Sequence, residues 1–143
     1  MTIHQLSVFL ENRAGQLAEI TNVLASNNID LRAINIAETV DYGVVRLIVS
    51  NAHEASNILL EHGFILTMTP VVAVAVNDQP GGLASLLKIM SEADIDIEYM
   101  YSIFGHGSGK AHMIFRVADT DKMVQVLEEH GYETSDADAI GIC

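Results

Sequence analysis

The residues best suited to binding chemistry lie in a short stretch that occurs twice, at residues 11–18 and again at residues 77–84. Each copy places a Gly, and an Asn or Asp, just ahead of a predicted helix. Free backbone N–H groups and the helix dipole favour a carboxylate there, and Gly lets the backbone approach a ligand closely. An Asn or Asp oxygen can accept a hydrogen bond from an ammonium group. The stretch is therefore suited to a small zwitterion.

The duplication extends well beyond these two loops. A shift of 66 residues, from Leu17 to Leu83, also aligns the apolar positions of the preceding strand and the following helix. A shift of 68, from His62 to His130, aligns a second helix end in each half. Because internal repetition determines the architecture, it is the strongest guide to the fold.

The elements that position the loops follow the same order in each half. An alternating or apolar strand precedes each loop, and apolar residues at helical spacing follow it. A hairpin, a second helix and a short strand complete each half, and Gly63 and Gly131 end the second helices. Asn51 is predicted to cap the second helix, and Pro80 to open the third. The predicted strands are residues 3–10, 29–37, 44–49, 64–68, 71–76, 96–104, 111–117 and 139–142.

Each half therefore predicts the order strand-helix-strand-strand-helix-strand. Helices with one apolar stripe can cover only one face of an antiparallel sheet. The predicted fold class is α/β (α+β): two tandem ferredoxin-like βαββαβ sandwiches with antiparallel sheets. Their boundary is predicted at Thr69–Pro70, giving domains at residues 1–69 and 70–143. The bare face or edge of each small sheet needs a partner, and the other half is the nearest one.

Composition excludes several classes of function. The chain has 143 residues and a net charge of -12, which disfavours binding to nucleic acid or to an anionic membrane surface. The longest aliphatic run, residues 71–76, is far shorter than the roughly 20 residues of a membrane helix. The first residues lack a secretory pattern, so a cytoplasmic location is expected.

Enzymatic, metal and cofactor functions are not expected. Cys143 is the only cysteine, and scattered histidines do not make a metal site. No nucleophile motif or carboxylate pair stands out, so no catalytic residues are predicted. The glycines at residues 105–109 predict a hairpin rather than a phosphate cradle, since no P-loop helix follows. His62 and His130 are predicted to satisfy the last carbonyl groups of their helices.

The two loops resemble the Asn-x-x-Gly-x-Leu motif of the ACT domain. The first copy runs from Asn12 through Gly15 to Leu17, and the second starts with Asp78. An Ile-Asp step that is typical of the family follows each first helix, at residues 29–30 and 95–96. The similarity covers essentially the whole chain as two tandem copies.

The resemblance implies a regulatory module that binds a free amino acid where two ACT units meet. The loop of one unit and the second-strand start of the other would contact the ligand, which pairs the first loop with Asp96 and the second with Asp30. The implied ligand-binding residues are Glu11, Asn12, Arg13, Ala14, Gly15, Gln16, Leu17, Asp30, Asn77, Asp78, Pro80, Gly81, Gly82, Leu83 and Asp96. Alternatively, the glycines form tight turns without a ligand, and the aspartates simply end helices or cap hairpins.

The second-strand residue is often Asn in the family but is Asp twice here, at Asp30 and Asp96. The added negative charge either favours a cationic side chain on the ligand or means that one of the two sites binds nothing. With no catalytic residues of its own, the chain is expected to act on an enzyme partner in trans and to form a homodimer. The alternative is an interaction or subunit-assembly module with no ligand.

Overall fold

The computed structural model describes residues 2–11, 14–38, 42–103 and 109–134. The strands and helices in chain order are β1 (Thr2–Glu11), α1 (Gln16–Ser26), β2 (Leu31–Glu38), β3 (Tyr42–Val49), α2 (Ala52–Glu61), β4 (Ile65–Asn77), α3 (Gly82–Glu92), β5 (Tyr99–Ser102), β6 (Lys110–Arg116) and α4 (Thr120–Glu129). The described residues form two compact units, one of residues 4–69 and one of residues 2–3 with 70–134. Among them, no helix is long and apolar enough to cross a membrane.

The N-terminal unit contains an antiparallel sheet in the order β2-β3-β1. Leu47 of β3 lies opposite Leu6 of β1 on one side and Ile34 of β2 on the other. Alternate side chains of β1 point toward α1 and α2, which bury the apolar face of the sheet. The buried core of this unit contains Leu6, Val8, Leu10, Ile20, Leu24, Ile29, Val45, Leu47, Val49, Ala55, Leu59 and Phe64.

The C-terminal unit repeats this arrangement with the strand order β4-β6-β5. Phe115 of β6 lies opposite Val72 of β4 and Met100 of β5. After α4 the chain returns beside β4, where Val74 and Thr134 form an antiparallel bridge. The buried core contains Val72, Val74, Val76, Leu86, Met90, Phe115, Val117, Met123 and Leu127. The predicted strand at residues 139–142 falls outside the described residues.

The predicted separation of the strands at residues 64–68 and 71–76 was wrong. The strands predicted at residues 64–68 and 71–76 are one strand, β4, which runs through Pro70. Proline fits the extended backbone of a strand and lacks only the N–H group. It stands where the chain passes from one compact unit to the next.

Other boundaries also differ from the predicted ones, most clearly those of α3 and β5. Pro80 does not open α3, because the helix begins at Gly82 and Gly81 is its N-cap. The strand predicted at residues 96–104 is shorter, since β5 covers only Tyr99–Ser102.

The predicted helix ends are confirmed. Asn51 caps α2, where its Oδ1 accepts a hydrogen bond of 3.1 Å from the backbone N–H of Glu54. At the ends of α2 and α4, Nδ1 of His62 and of His130 lies 2.8 Å from a backbone carbonyl oxygen one turn earlier. Because a carbonyl only accepts, each Nδ1 must carry the proton. Both side chains therefore donate a hydrogen bond to the C-terminal end of their own helix.

Candidate functional site

The first candidate loop connects β1 to α1. Gly15 is the N-cap of α1 and adopts the left-handed conformation, with φ of 87°. Its carbonyl accepts the first helical hydrogen bond, 2.9 Å from the backbone N–H of Glu19. The loop is tied by Gln16, whose Oε1 lies 2.8 Å from the backbone N of Glu11. Having no side chain, Gly15 cannot accept from the N–H groups of the first turn, which leaves them to other acceptors.

The remaining predicted residues of this loop are less informative. Ala14 is exposed, and Leu17 is half-buried against the core of the unit. Asn12 and Arg13 lie outside the described residues. The structure therefore brings together Glu11 and residues 14–17 at the start of α1.

The second candidate loop connects β4 to α3 and has the same cap. Gly81 is left-handed, with φ of 86°, and its carbonyl accepts from the backbone N–H of Ser85 at 3.0 Å. Asp78 and Pro80 are exposed in the turn, and Leu83 is half-buried against the core. Asn77 is the last residue of β4. All six predicted residues of this loop therefore lie together at the start of α3.

The two loops are closed in different ways. In the second loop, the backbone N–H of Gln79 donates to the carbonyl of Asn77 at 2.9 Å, and that of Gly82 donates to Gln79 at 3.1 Å. A Cβ added to Gly82 would overlap the carbonyl oxygen of Asn77. The first loop instead has Gln16 at this position and uses its side chain to tie the loop. The repeat therefore preserves the helix cap but not the packing of the turn.

A cleft of about 280 Å³ lies beside the first loop, between the start of α1 and the end of α2. It is lined by Phe9, Glu11, Gln16, Glu19, His62, Gly63, Phe64 and Ile65. A shallower groove continues along α1 past Gly15 and shares Glu19 and His62 with the cleft. Glu19 therefore stands at the junction of the two concave surfaces.

The second loop also has two clefts beside it. One, of about 330 Å³, is lined by Ala75, Asn77, Lys110, His130, Gly131, Tyr132 and Glu133. The other, of about 220 Å³, is lined by Asn77, Gln79, Pro80, Gly81, Gly82, Ser85 and Tyr132. Each loop is thus next to a concave surface of a size that suits a small molecule.

The two predicted aspartates lie away from the loops of their own units. Asp30 follows α1, whose 11 residues separate it from Gly15 by about 16 Å of helix rise. Its backbone N–H donates to Ser50 Oγ at 3.0 Å. Asp96 occupies the equivalent position after α3, beside a small pocket that also contains Lys122. Within one unit, the structure does not bring an aspartate and a loop together.

Sequence reasoning missed most of the residues that line the clefts. The missed residues are Phe9, Glu19, His62, Gly63, Phe64, Ile65, Ala75, Lys110, His130, Gly131, Tyr132 and Glu133. The signal that could have found them was the repeated His-Gly-aromatic step at residues 62–64 and 130–132, because it marks the chain segment that faces each loop. Within the described ranges, no group of three or more His, Cys, Asp or Glu side chains could hold a metal ion.

Comparison with known protein families identifies the family of this chain. The model of a family described as an ACT domain pair matches residues 1–138. The chain belongs to this family. The predicted resemblance to the ACT domain is therefore confirmed. The predicted fold class, two tandem ferredoxin-like units with antiparallel sheets, is confirmed as well.

Three solved structures are similar to this ACT domain pair. Protein BT0572 from Bacteroides thetaiotaomicron is 39% identical, with a TM-score of 0.92, over 99% of this chain and 96% of that one. The regulatory subunit of aspartate kinase from Thermus thermophilus, in a ligand-free form, is 15% identical, with a TM-score of 0.62, over 92% and 97% of the two chains. A structure of aspartokinase alpha and beta subunits is 15% identical, with a TM-score of 0.56, over 90% and 95%. The last two likenesses establish the fold alone. No curated protein matches the chain.

Proposed function

We propose that this ACT domain pair is a regulatory protein that binds a free amino acid through its strand-to-helix loops and acts on a partner enzyme in trans. The observation that carries the proposal is the repeated cap: Gly15 and Gly81 are both left-handed at a helix start. Backbone N–H groups and the helix dipole at such a start attract a carboxylate. Both caps lie next to a cleft.

One of the similar structures supports a role in enzyme regulation. One of them is a regulatory subunit of aspartate kinase crystallised without ligand. Regulation of an enzyme by a separate chain of this fold is the role that we propose here. In this proposal the protein is not itself an enzyme, carries no cofactor, is cytoplasmic and forms a homodimer.

The proposed site uses residues of two ACT-like units. The first loop, residues 11–17, would contact the carboxylate of the ligand, and Asp96 of another unit its ammonium group. The second loop, residues 77–83, would be paired in the same way with Asp30. The domains of this proposal are residues 1–69 and 70–143. A ligand that contacts two units stabilises one arrangement of them over others, and this population shift is the proposed regulatory signal.

Calorimetric titration of the full chain against the twenty common amino acids tests the proposal. We expect at least one to bind, and Gly15→Ala to weaken binding to the first loop, because a Cβ at this φ strains the cap. Gly109→Ala is the matched control: Gly109 lines none of these clefts, has φ of 73° and, like Gly15, has open space where a Cβ would stand. No heat with any amino acid at millimolar concentration would reject the proposal and favour the interaction module without a ligand.

A further inference from the structure

We infer that the cleft beside the first loop selects an amino acid with a long cationic side chain, lysine or arginine, and that the second loop does not. The inference rests on the proposed function, because it names the ligand class of the first of the two proposed sites. Its basis is the lining of the first cleft and the different residues at the equivalent positions of the repeat.

The lining of the first cleft combines negative charge with exposed apolar surface. Glu19, in the first turn of α1, lines both the cleft and the adjoining groove, and Glu11 lines the cleft. Phe9 and Ile65 are 42% and 70% exposed, although both are large and apolar. Of the described residues that line this cleft, none is a lysine or an arginine.

This combination matches the side chains of lysine and arginine. Their aliphatic stems lie along apolar surface while the charged head stays at a polar one. The Phe9 ring can contact the stem and can also attract the cation through its π face. Glu19 can bind the head in a charge-assisted hydrogen bond, and a guanidinium can bind a carboxylate with two such bonds. The α-carboxylate would occupy the helix start at Gly15, as in the proposed function.

The repeat is an internal control, because the same fold has different residues at these positions. The equivalent pairs are Phe9 and Ala75, Glu11 and Asn77, Glu19 and Ser85, and Ile65 and Glu133. The fold therefore does not require two carboxylates and two exposed apolar side chains at this place. Their presence in one unit alone indicates a function of that unit's cleft.

Of the two clefts at the second loop, the smaller has Ser85 where the first cleft has Glu19, and the larger contains a lysine. Ser85 Oγ donates to the carbonyl of Gly81 at 3.0 Å, so its hydroxyl proton is used within its own helix. Lys110 lines the larger of these clefts together with Glu133, so a basic ligand would meet a like charge beside the carboxylate. These contacts make the clefts at the second loop a poor site for lysine or arginine.

The test is a calorimetric titration at one fixed ionic strength with four probes: lysine, arginine, and their neutral analogues norleucine and citrulline. We expect one basic amino acid to bind per chain, about tenfold or more tightly than its neutral analogue. Glu19→Ser, which introduces the residue of the repeat, should weaken binding by a similar factor, and Glu19→Gln should reproduce the effect without shortening the side chain. Glu92→Ser, which removes an exposed helix carboxylate outside the clefts, should change affinity less than twofold.

The outcomes separate this inference from the proposed function. If norleucine or citrulline binds as tightly as lysine or arginine, or if only other amino acids bind in the titration of all twenty, the inference is overturned and the proposed function stands. Two basic ligands per chain, or equal effects of the Glu19 and Glu92 variants, would also overturn it. If no amino acid binds, the proposed function and the inference fail together.

Discussion

Arg32 and Asp30 form an ion pair in which Arg32 Nη1 lies 2.8 Å from Asp30 Oδ2. The position of Arg32 is taken by Glu98 in the second unit, and Glu98 Oε2 instead lies 3.4 Å from Arg116 Nε. Asp96, the counterpart of Asp30, has no ion-pair partner in the part of the chain that the structure describes. The two aspartates that the repeat makes equivalent in sequence therefore differ in their electrostatic surroundings.

The Arg32–Asp30 pair should contribute little to stability. Because the Asp30 side chain is 64% exposed, water screens the pair, and Asp30→Asn should lower the free energy of unfolding by less than about 1 kcal/mol. Asp96→Asn, with no pair to lose, should change it by no more than about 0.5 kcal/mol. Urea unfolding followed by far-ultraviolet circular dichroism measures both. A loss of several kcal/mol in either variant would contradict this description.

Under the proposed function, the same difference predicts unequal effects on binding. The carboxylate of Asp96 is available to an ammonium group, whereas that of Asp30 already has a cationic partner. We expect Asp96→Asn to weaken the affinity for the amino acid by about tenfold, the factor that corresponds to one charge-assisted hydrogen bond. Asp30→Asn should weaken it less. Titration of both variants with the same amino acid checks the order, and a larger effect of Asp30→Asn would reverse the assignment.

Gly82→Ala should destabilise the second unit. The added Cβ would overlap the carbonyl oxygen of Asn77, and a backbone atom can move aside only if the turn moves with it. We expect a loss of about 1–3 kcal/mol, typical of overpacking. Lys88→Ala, further along α3 and exposed, is the control, with an expected change within about 0.5 kcal/mol. Equal midpoints of thermal unfolding for the two variants would contradict the predicted overlap.

The order of strands and helices could be predicted because the sequence pattern of each half indicates it independently. Alternation at residues 3–10 predicted β1, and its core face of Leu6, Val8 and Leu10 is the one that the structure buries. The repeat then confirmed the order by showing it again. The two helix-end histidines were predicted on the same basis, since a His before a left-handed Gly stands beside the last carbonyl groups.

The surroundings of the loops could not be predicted because they depend on contacts between distant segments. Nothing near residue 11 in sequence indicates that Ile65 will line the same cleft as Glu11. The prediction that a strand ends before Pro70 was wrong for a related reason. A proline usually ends a strand when its missing N–H would face a neighbour, and whether it does is a property of the sheet, not of the residue.

Two helix caps formed by side chains should contribute more to the stability of the protein than exposed polar residues nearby. Asp119 Oδ1 accepts a hydrogen bond of 3.0 Å from the backbone N–H of Lys122 at the start of α4, as Asn51 does for α2. Asn51→Ala and Asp119→Ala should each cost about 0.5–2 kcal/mol of stability. Asn57→Ala, in the exposed face of α2, is the control and should cost less. If Asn57→Ala shifts the urea midpoint as far as Asn51→Ala, the caps do not stabilise these helices.

Leu59 and Leu60 are neighbours on α2 whose environments are opposite. One residue step turns a helix by about 100°, so Leu59 is completely buried in the core and Leu60 is 52% exposed. Leu59→Ala should lower the free energy of unfolding by about 2–5 kcal/mol, because it leaves a cavity between α2 and the sheet. Leu60→Ala removes the same atoms from water-exposed surface and should change it by less than about 0.5 kcal/mol. Guanidinium unfolding of the two variants compares them directly, and losses of equal size would contradict the placement of Leu59 in the core.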